Sequence, residues 1–167
     1  FFSPVHKMKL VEIIKGKNTS QETLAKAFDF ILQIKKIPIV VNDSFGFYTS
    51  RVFERYICEG MALLEEGNPA ELIERAGKKA GHPVGPLAVV DEISIGLAAH
   101  IRKQSREEMI QKNQKWVSES WDKVIDFMTE KAKRLGRASG SGFYDYPQGG
   151  KKYLWPQLKR YFAISKN

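Results

Sequence analysis

The sequence predicts a mainly α-helical chain that begins with a short β-β-α-β segment, the last part of an α/β sheet. Residues 1–42 hold short and nearly continuous apolar runs, which favour strands. Beyond the stretch Val41–Arg51 (VNDSFGFYTSR), apolar residues recur at helical spacing through most of the chain. A length of 167 residues with 43% hydrophobic content is sufficient for one main globular domain and an appendage.

Four elements are predicted before residue 43. The predicted strands are Phe1–Val5, Met8–Ile14 and Ile37–Val41. Thr19 and Glu22 have the spacing of a capping box, so we expect the helix to begin there. Lys35 and Lys36 suit its C-terminal end, where positive charge is favoured. The last strand is predicted to be buried because its apolar run is continuous.

The remaining chain is predicted to be helical. Val41–Arg51 is predicted to be a strand-to-helix elbow, in which Asp43 and Ser44 can cap a helix. A long helix is expected to begin at about Phe47 and to end at Gly67. Further helices are expected from Pro69, over Leu87–Ile93, over Ile95–Arg106 and over Trp116–Leu135. After them, SGSGFYDY predicts a turn followed by a segment that docks through Phe143 and Tyr144.

Composition limits the function classes. The net charge is +8, but most basic residues are interleaved with acids as on a solvated helix face. No zinc spacing, recognition helix or RNA-binding aromatic signature accompanies them, so we predict no nucleic-acid partner. No apolar run approaches the roughly 18 residues of a membrane span. The only cysteine, Cys58, excludes an internal disulfide and is expected to be a buried apolar residue.

Glu12 is the most informative single residue, because it lies between Val11 and Ile13 in a predicted strand. An edge strand with a solvated polar face would explain it and is favoured from the residues alone. The functional alternative is a carboxylate that orients a catalytic imidazole. The histidines, at positions 6, 82 and 100, are too widely spaced to indicate a metal site, so no metal is predicted.

Four segments carry a family likeness in the correct order along residues 1–155. They read FFSPVHKMKLVEII, NDSFGFYTSRV, GHPVGPLAVVDEISI and GSGFYDYPQGGKKYLWP. Together they resemble the C-terminal part of the L-3-hydroxyacyl-CoA dehydrogenases. The likeness is greatest to the dehydrogenase segment of multifunctional fatty-acid oxidation proteins of the α-subunit type, which also carry an enoyl-CoA hydratase.

The resemblance implies a fold, a division into domains and an activity. Residues 1–42 would be the last β-β-α-β elements of a truncated Rossmann-type NAD-binding domain. Residues 43–146 would be a helical domain that binds substrate and mediates homodimerisation, and 147–167 a tail. The implied reaction is NAD-dependent oxidation of a (3S)-3-hydroxyacyl-CoA to the 3-oxoacyl-CoA in β-oxidation. The implied location is the cytoplasm for a bacterial protein, and the mitochondrion or peroxisome for a eukaryotic one.

The resemblance also assigns site residues. Glu12 falls on the glutamate that supports the catalytic histidine, which would directly precede Phe1. Ser3 falls near the nicotinamide, where asparagine is common, and Ser50 falls where the family usually has an asparagine that contacts substrate. Ala138 stands where many members have a lysine that reaches the cofactor. Without the histidine and the glycine-rich dinucleotide fingerprint, the chain alone is expected to bind NAD poorly and to be inactive.

Two other functions stay open at this point. The changes at Ser50 and Ala138 allow a non-catalytic helical module for assembly or acyl-CoA binding. A dehydrogenase of the same superfamily could act on another hydroxyacid, as in the gulonate or β-hydroxybutyryl branches. The C-terminal motif YDYPQGGKKYLWP favours the multifunctional fatty-acid type.

Overall fold

The computed structural model describes residues 1–163 and divides into two compact units, one over Phe1–Glu54 and the other from Arg55 onwards. The first unit contains β1 (Leu10–Lys15), α1 (Gln21–Gln33), β2 (Ile37–Asn42) and the start of α2 (Thr49–Glu65). The second contains the rest of α2, α3 (Ala70–Lys79), α4 (Pro86–Ile93), α5 (Ile95–Gln111), α6 (Ser120–Asp126), β3 (Tyr144–Asp145), β4 (Tyr153–Leu154) and α7 (Leu158–Tyr161). No helix among residues 1–163 is long and apolar enough to cross a membrane.

The first unit is a parallel β-α-β unit. Strands β1 and β2 pair in parallel with Glu12 opposite Ile39, and α1 forms the connection between them. Val11 on β1 and Ile31 on α1 are the buried apolar residues of this unit. Glu12 is thereby fixed in the middle of a strand, with its side chain on the face opposite to Val11.

Two predictions for this unit are wrong. Phe1–Val5 is not a strand, so the order is β-α-β and not β-β-α-β. The backbone instead turns at Pro4, whose carbonyl accepts from the amides of Lys7 (2.9 Å) and Met8 (3.0 Å), and proline has no N–H to give to a sheet. Strand β2 was predicted to be buried, yet Ile37 is 56% exposed, because the described sheet has only two strands.

The start of α1 also differs from the prediction. The N-cap is Ser20, whose Oγ accepts from the amide of Thr23 at 3.1 Å. Thr19 instead closes the preceding turn, since its Oγ1 accepts from the amide of Gly16 at 3.0 Å. Glu22 forms an exposed ion pair with Lys26 and takes no part in capping. The predicted capping box is therefore wrong, and the N-cap lies one residue later than expected.

The second unit packs its helices around one apolar core. Its fully buried side chains include Met61, Leu64, Leu87, Val90, Ile95, Val124, Met128 and Phe143. The predicted helices are confirmed, except that the helix expected over Trp116–Leu135 begins only at Ser120 and changes to a π-helical turn over Phe127–Lys131. The predicted docking of the segment after Gly142 is confirmed, because Phe143 is completely buried.

Helices α2 and α4 approach closely at Gly60 and Pro86. A Cβ at Gly60 would lie 2.5 Å from Cβ of Pro86, whose ring cannot rotate away. We expect Gly60→Ala to lower the free energy of unfolding by about 1–2 kcal/mol, the overpacking cost minus the gain in helix propensity. The matched control is Gly96→Ala in α5, where the nearest atom is 3.5 Å away. It should be neutral or stabilising in the same urea titration, and equal losses in both variants would contradict the steric explanation.

Candidate functional site

The elbow between β2 and α2 has a strained backbone. Gly46 and Phe47 lie in the left-handed region, with φ values of +72° and +47°. Glycine adopts this conformation freely, whereas for phenylalanine it costs roughly 1–2 kcal/mol. The carbonyl of Ser44 accepts from the amide of Phe47 at 3.0 Å and closes the turn. The predicted capping by the side chains of Asp43 and Ser44 was wrong, because α2 begins only at Thr49.

Glu12 caps α2 from the neighbouring strand. Its Oε1 accepts hydrogen bonds from the backbone amides of Tyr48 (3.1 Å) and Thr49 (2.8 Å). The first amides of a helix have no intrahelical partner, and the positive end of the helix dipole favours a carboxylate there. Glu12 is half-buried, so these bonds supply the partner that a carboxylate between two apolar residues needs.

Ser50 follows directly in the first turn of α2. Its side chain is exposed, and among residues 1–163 it forms no hydrogen bond. The hydroxyl of Thr49 is buried and has no partner within that same part of the chain. Glu12 and Ser50, two of the residues assigned from the sequence, therefore lie at the same end of α2. Glu12 accepts from the amide of Thr49, the residue that precedes Ser50.

Ser3 forms no described contact with that helix end, and Ala138 belongs to the second unit. Ser3 is exposed in the turn that precedes β1, and Ala138 is exposed in a 3-10 turn over Arg137–Ser139. The turn beside Ser3 is held by Lys36, whose Nζ donates to the carbonyls of Val5 (2.6 Å) and Met8 (2.7 Å). The sequence indicated Lys36 only as a helix-end charge, and this second role was missed.

The second unit contains three buried carboxylates, those of Glu74, Asp91 and Asp122, which the sequence reasoning also missed. Glu74 on α3 is 6% exposed, and its Oε1 accepts from the amides of Leu87 (2.8 Å) and Ala88 (3.3 Å) at the start of α4. Its Oε2 accepts from the hydroxyl of Tyr144 at 2.6 Å. Glu74 therefore caps α4 and fastens the C-terminal segment to α3.

Asp91 on α4 is the second of these carboxylates and is 1% exposed. It accepts from the amides of Phe143 (2.8 Å) and Tyr144 (2.9 Å), and from the hydroxyl of Tyr146 (2.9 Å). Burial raises the pKa of Asp91, although these three donors act in the opposite direction. Burial also raises the pKa of Tyr144 and Tyr146, helped by the adjacent carboxylates, so both hydroxyls remain donors.

The carboxylates of Glu74 and Asp91 lie against glycines of the sequence motifs. A Cβ at Gly85 would overlap the carboxyl group of Glu74, and one at Gly142 would overlap Oδ1 of Asp91. The motifs GHPVGP and GSGFYDY thus place glycine where a buried carboxylate leaves no space for a side chain. No group of three His, Cys, Asp or Glu side chains suitable for a metal ion occurs among residues 1–163.

The parallel β-α-β unit and the helical unit define the class of protein. A parallel β-α-β unit is the building block of dinucleotide-binding sheets. In this chain the β-α-β unit continues through the capped elbow into a helical domain. The fold is therefore of the class in which a nucleotide-binding sheet precedes a helical domain.

Comparison with known proteins identifies the family. Residues 46–146 match the family model of the 3-hydroxyacyl-CoA dehydrogenase C-terminal domain, and residues 1–44 match that of the 3-hydroxyacyl-CoA dehydrogenase NAD binding domain. The chain belongs to the 3-hydroxyacyl-CoA dehydrogenase family.

Individual relatives agree with this assignment. The chain is 40% identical over 152 residues to the fatty acid oxidation complex subunit alpha of Shewanella frigidimarina (strain NCIMB 400), covering 91% of this chain and 20% of that protein. The subunit from Shewanella sp. (strain ANA-3) is 38% identical over 151 residues, covering 90% and 20%. The chain thus spans about a fifth of the length of these relatives.

Solved structures show the same fold. The (S)-3-hydroxybutyryl-CoA dehydrogenase from Ralstonia eutropha is 32% identical with a TM-score of 0.71, covering 88% of this chain and 50% of that one. The 3-hydroxybutyryl-CoA dehydrogenase from Escherichia coli K12 is 28% identical with a TM-score of 0.71, covering 92% and 32%. The predicted helical domain after a short Rossmann-type segment is thereby confirmed.

Proposed function

We propose that the protein to which these residues belong is an NAD-dependent (3S)-3-hydroxyacyl-CoA dehydrogenase of fatty-acid β-oxidation. The observation that carries the proposal is the position of Glu12, bonded to the helix end one residue before Ser50. The proposal is supported by the bond from the amide of Thr49 to Glu12, since Thr49 directly precedes the residue expected to contact substrate. The similarity to subunits of fatty acid oxidation complexes favours an acyl-CoA as the substrate.

The chain's residues would share the work as follows. Bound NAD would supply the acceptor for the hydride that leaves C3 of the substrate. Ser3 has an exposed hydroxyl next to the Phe1–Phe2 pair and would contribute a polar contact on the cofactor side. The histidine that takes the hydroxyl proton precedes that pair in the family, and the negative charge of Glu12 would favour its protonated form. Support of this kind is worth roughly 10²–10⁴-fold in rate.

Ser50 would contact the substrate around the reacting carbon. A serine offers one short hydroxyl in place of an asparagine amide, so the contact can be direct or can pass through a water. We also propose the domain division 1–42, 43–146 and 147–167, a homodimer formed by the helical domain, and a cytoplasmic location, since the relatives named above are bacterial.

The test is the oxidation of NADH that depends on acetoacetyl-CoA, measured with the full-length protein. We expect turnover with acetoacetyl-CoA and none with free acetoacetate. Ser50→Asn should raise kcat/KM several-fold if the missing amide is needed, and Ser50→Ala should lower it about tenfold. Glu22→Ala, which removes an exposed side chain that pairs only with Lys26, is the control variant.

The assay also separates the alternatives. Binding of acyl-CoA without any NADH oxidation by the full-length protein would support a non-catalytic module and contradict the enzyme proposal. Turnover of another hydroxyacid in preference to every acyl-CoA tested would support a different branch of the superfamily.

A further inference from the structure

We propose that the helical unit contains a binding site for a nucleoside phosphate, in a cleft between α5 and α6. The cleft has a volume of about 430 Å³, which lies within the range of small-ligand sites. One side of it comes from α5, and the other comes from α6, the π-helical turn after it and Trp116 before it. All of these residues belong to the second unit.

An ion-pair network joins the two sides of the cleft. Arg102 on α5 donates from Nη1 to the backbone carbonyl (2.9 Å) and Oδ1 (3.3 Å) of Asp122, and from Nη2 to Oδ1 of Asp126. Asp122 is 4% exposed, and its Oδ2 accepts from the hydroxyl of Ser118 (3.2 Å) and the amide of Glu119 (2.9 Å). Because these bonds hold α5 against α6, a ligand would meet a cleft that is already formed.

The α5 side of the cleft carries three further basic side chains. His100, Lys103 and Arg106 form no hydrogen bond, ion pair or ring contact within residues 1–163. They follow one another at intervals of three residues, which makes their side chains neighbours on the helix surface. Like charges at this spacing repel each other, and a phosphate would relieve the repulsion and accept charge-assisted hydrogen bonds. This side of the cleft therefore suits the anionic group of a ligand.

The opposite side suits the rest of a nucleotide. Trp116 is half-buried and makes no ring contact within the part of the chain that the structure describes, so its indole offers a flat surface on which a base can stack. Asp126 and Glu130 lie across the cleft from the basic side chains of α5. Carboxylates are the usual acceptors for ribose hydroxyls. Phosphate, ribose and base would each meet a group that recognises it.

The unpaired charges favour an anion over a cation. Asp122 and Asp126 share the guanidinium of Arg102, whereas Lys103 and Arg106 have only the unpaired Glu130 opposite them. No group of three His, Cys, Asp or Glu side chains suitable for a metal ion occurs within residues 1–163. The inference does not depend on the proposed dehydrogenase activity, since it rests on this cleft alone.

Isothermal titration calorimetry with the full-length protein tests the site. NADH is kept in excess, so that a cofactor site elsewhere in the protein is filled. AMP, ADP and ATP are titrated, and inorganic phosphate and adenosine serve as partial ligands. The measurement needs no turnover, so its outcome is separate from that of the dehydrogenase assay.

Three variants assign the binding to the cleft. Lys103→Ala/Arg106→Ala removes two of the basic side chains, and Trp116→Leu removes the stacking surface. Lys112→Ala is the matched control, because it removes a positive charge at the C-terminal end of α5 that pairs with Glu108 and does not line the cleft.

We expect ADP to bind at least tenfold more tightly than inorganic phosphate or adenosine, since each of these lacks part of the recognised ligand. The double variant should weaken ADP binding at least tenfold, because two charge-assisted contacts are lost. Trp116→Leu should weaken it roughly tenfold through the loss of stacking. Lys112→Ala should change the affinity less than about twofold.

Three results would overturn the proposal. The first is the absence of binding by AMP, ADP and ATP at millimolar concentration. The second is an ADP affinity that stays at the wild-type value in the double variant or in Trp116→Leu. The third is equal affinity for inorganic phosphate and ADP, which would reduce the cleft to a site for simple anions.

Discussion

Replacement of Asp91 by alanine is expected to lower the free energy of unfolding of the helical unit by about 4 kcal/mol. The change leaves three donors without their acceptor, namely the amides of Phe143 and Tyr144 and the hydroxyl of Tyr146. Asp91 is 1% exposed, so water cannot simply replace the carboxylate. This value combines two contributions of opposite sign. Leaving the buried donors unsatisfied destabilises the variant, and a smaller gain arises because no carboxylate has to be desolvated.

The measurement is urea denaturation followed by tryptophan fluorescence. Trp116, Trp121 and Trp155 all lie in the second unit, so the signal reports on the unit that Asp91 stabilises. The matched control is Glu92→Ala at the next position of α4. Glu92 forms an exposed ion pair with Arg137, and its loss should cost less than about 1 kcal/mol. Similar losses in both variants would contradict the assigned role of Asp91.

The elements with strong periodicity were predictable from the sequence. Helix α2 was expected from its apolar spacing and from Gly67, whose φ of +90° confirms its role at the helix end. Phe1–Val5 was predicted wrongly because its apolar composition outweighed Pro4, which makes the turn there. Composition favours strands, but a strand also needs backbone donors and a partner edge.

The partners of buried carboxylates were far less predictable. Glu12 was recognised as unusual, yet its partners are backbone amides, which carry no sequence signature and lie 36 and 37 residues away. Asp91 could have been found, since helical spacing puts it on the same face as Leu87 and Ala88. Glu74 likewise shares a helix face with the buried residues Ala70 and Gly77. A carboxylate on the apolar face of a helix indicates a buried polar network.

Gly142→Ala is expected to lower the free energy of unfolding by about 3 kcal/mol. The new methyl group would overlap Oδ1 of Asp91, the atom that accepts from the amide of Phe143. Asp91 has a short side chain fixed by three hydrogen bonds, so it cannot move aside without breaking them. Gly142 has no positive φ, and the backbone itself therefore accepts alanine.

The double variant Asp91→Ala/Gly142→Ala tests whether this overlap is the cause. Removal of the carboxylate makes room for the methyl group, so adding Gly142→Ala to Asp91→Ala should cost less than about 1 kcal/mol. The interaction energy would then be about 2 kcal/mol, well above the deviation seen for independent sites. Additive losses would mean that Gly142 is needed for a reason unrelated to Asp91. A strongly non-additive cycle would instead explain the glycine before Phe143 by the buried carboxylate alone, because the same backbone accepts alanine once Asp91 is gone.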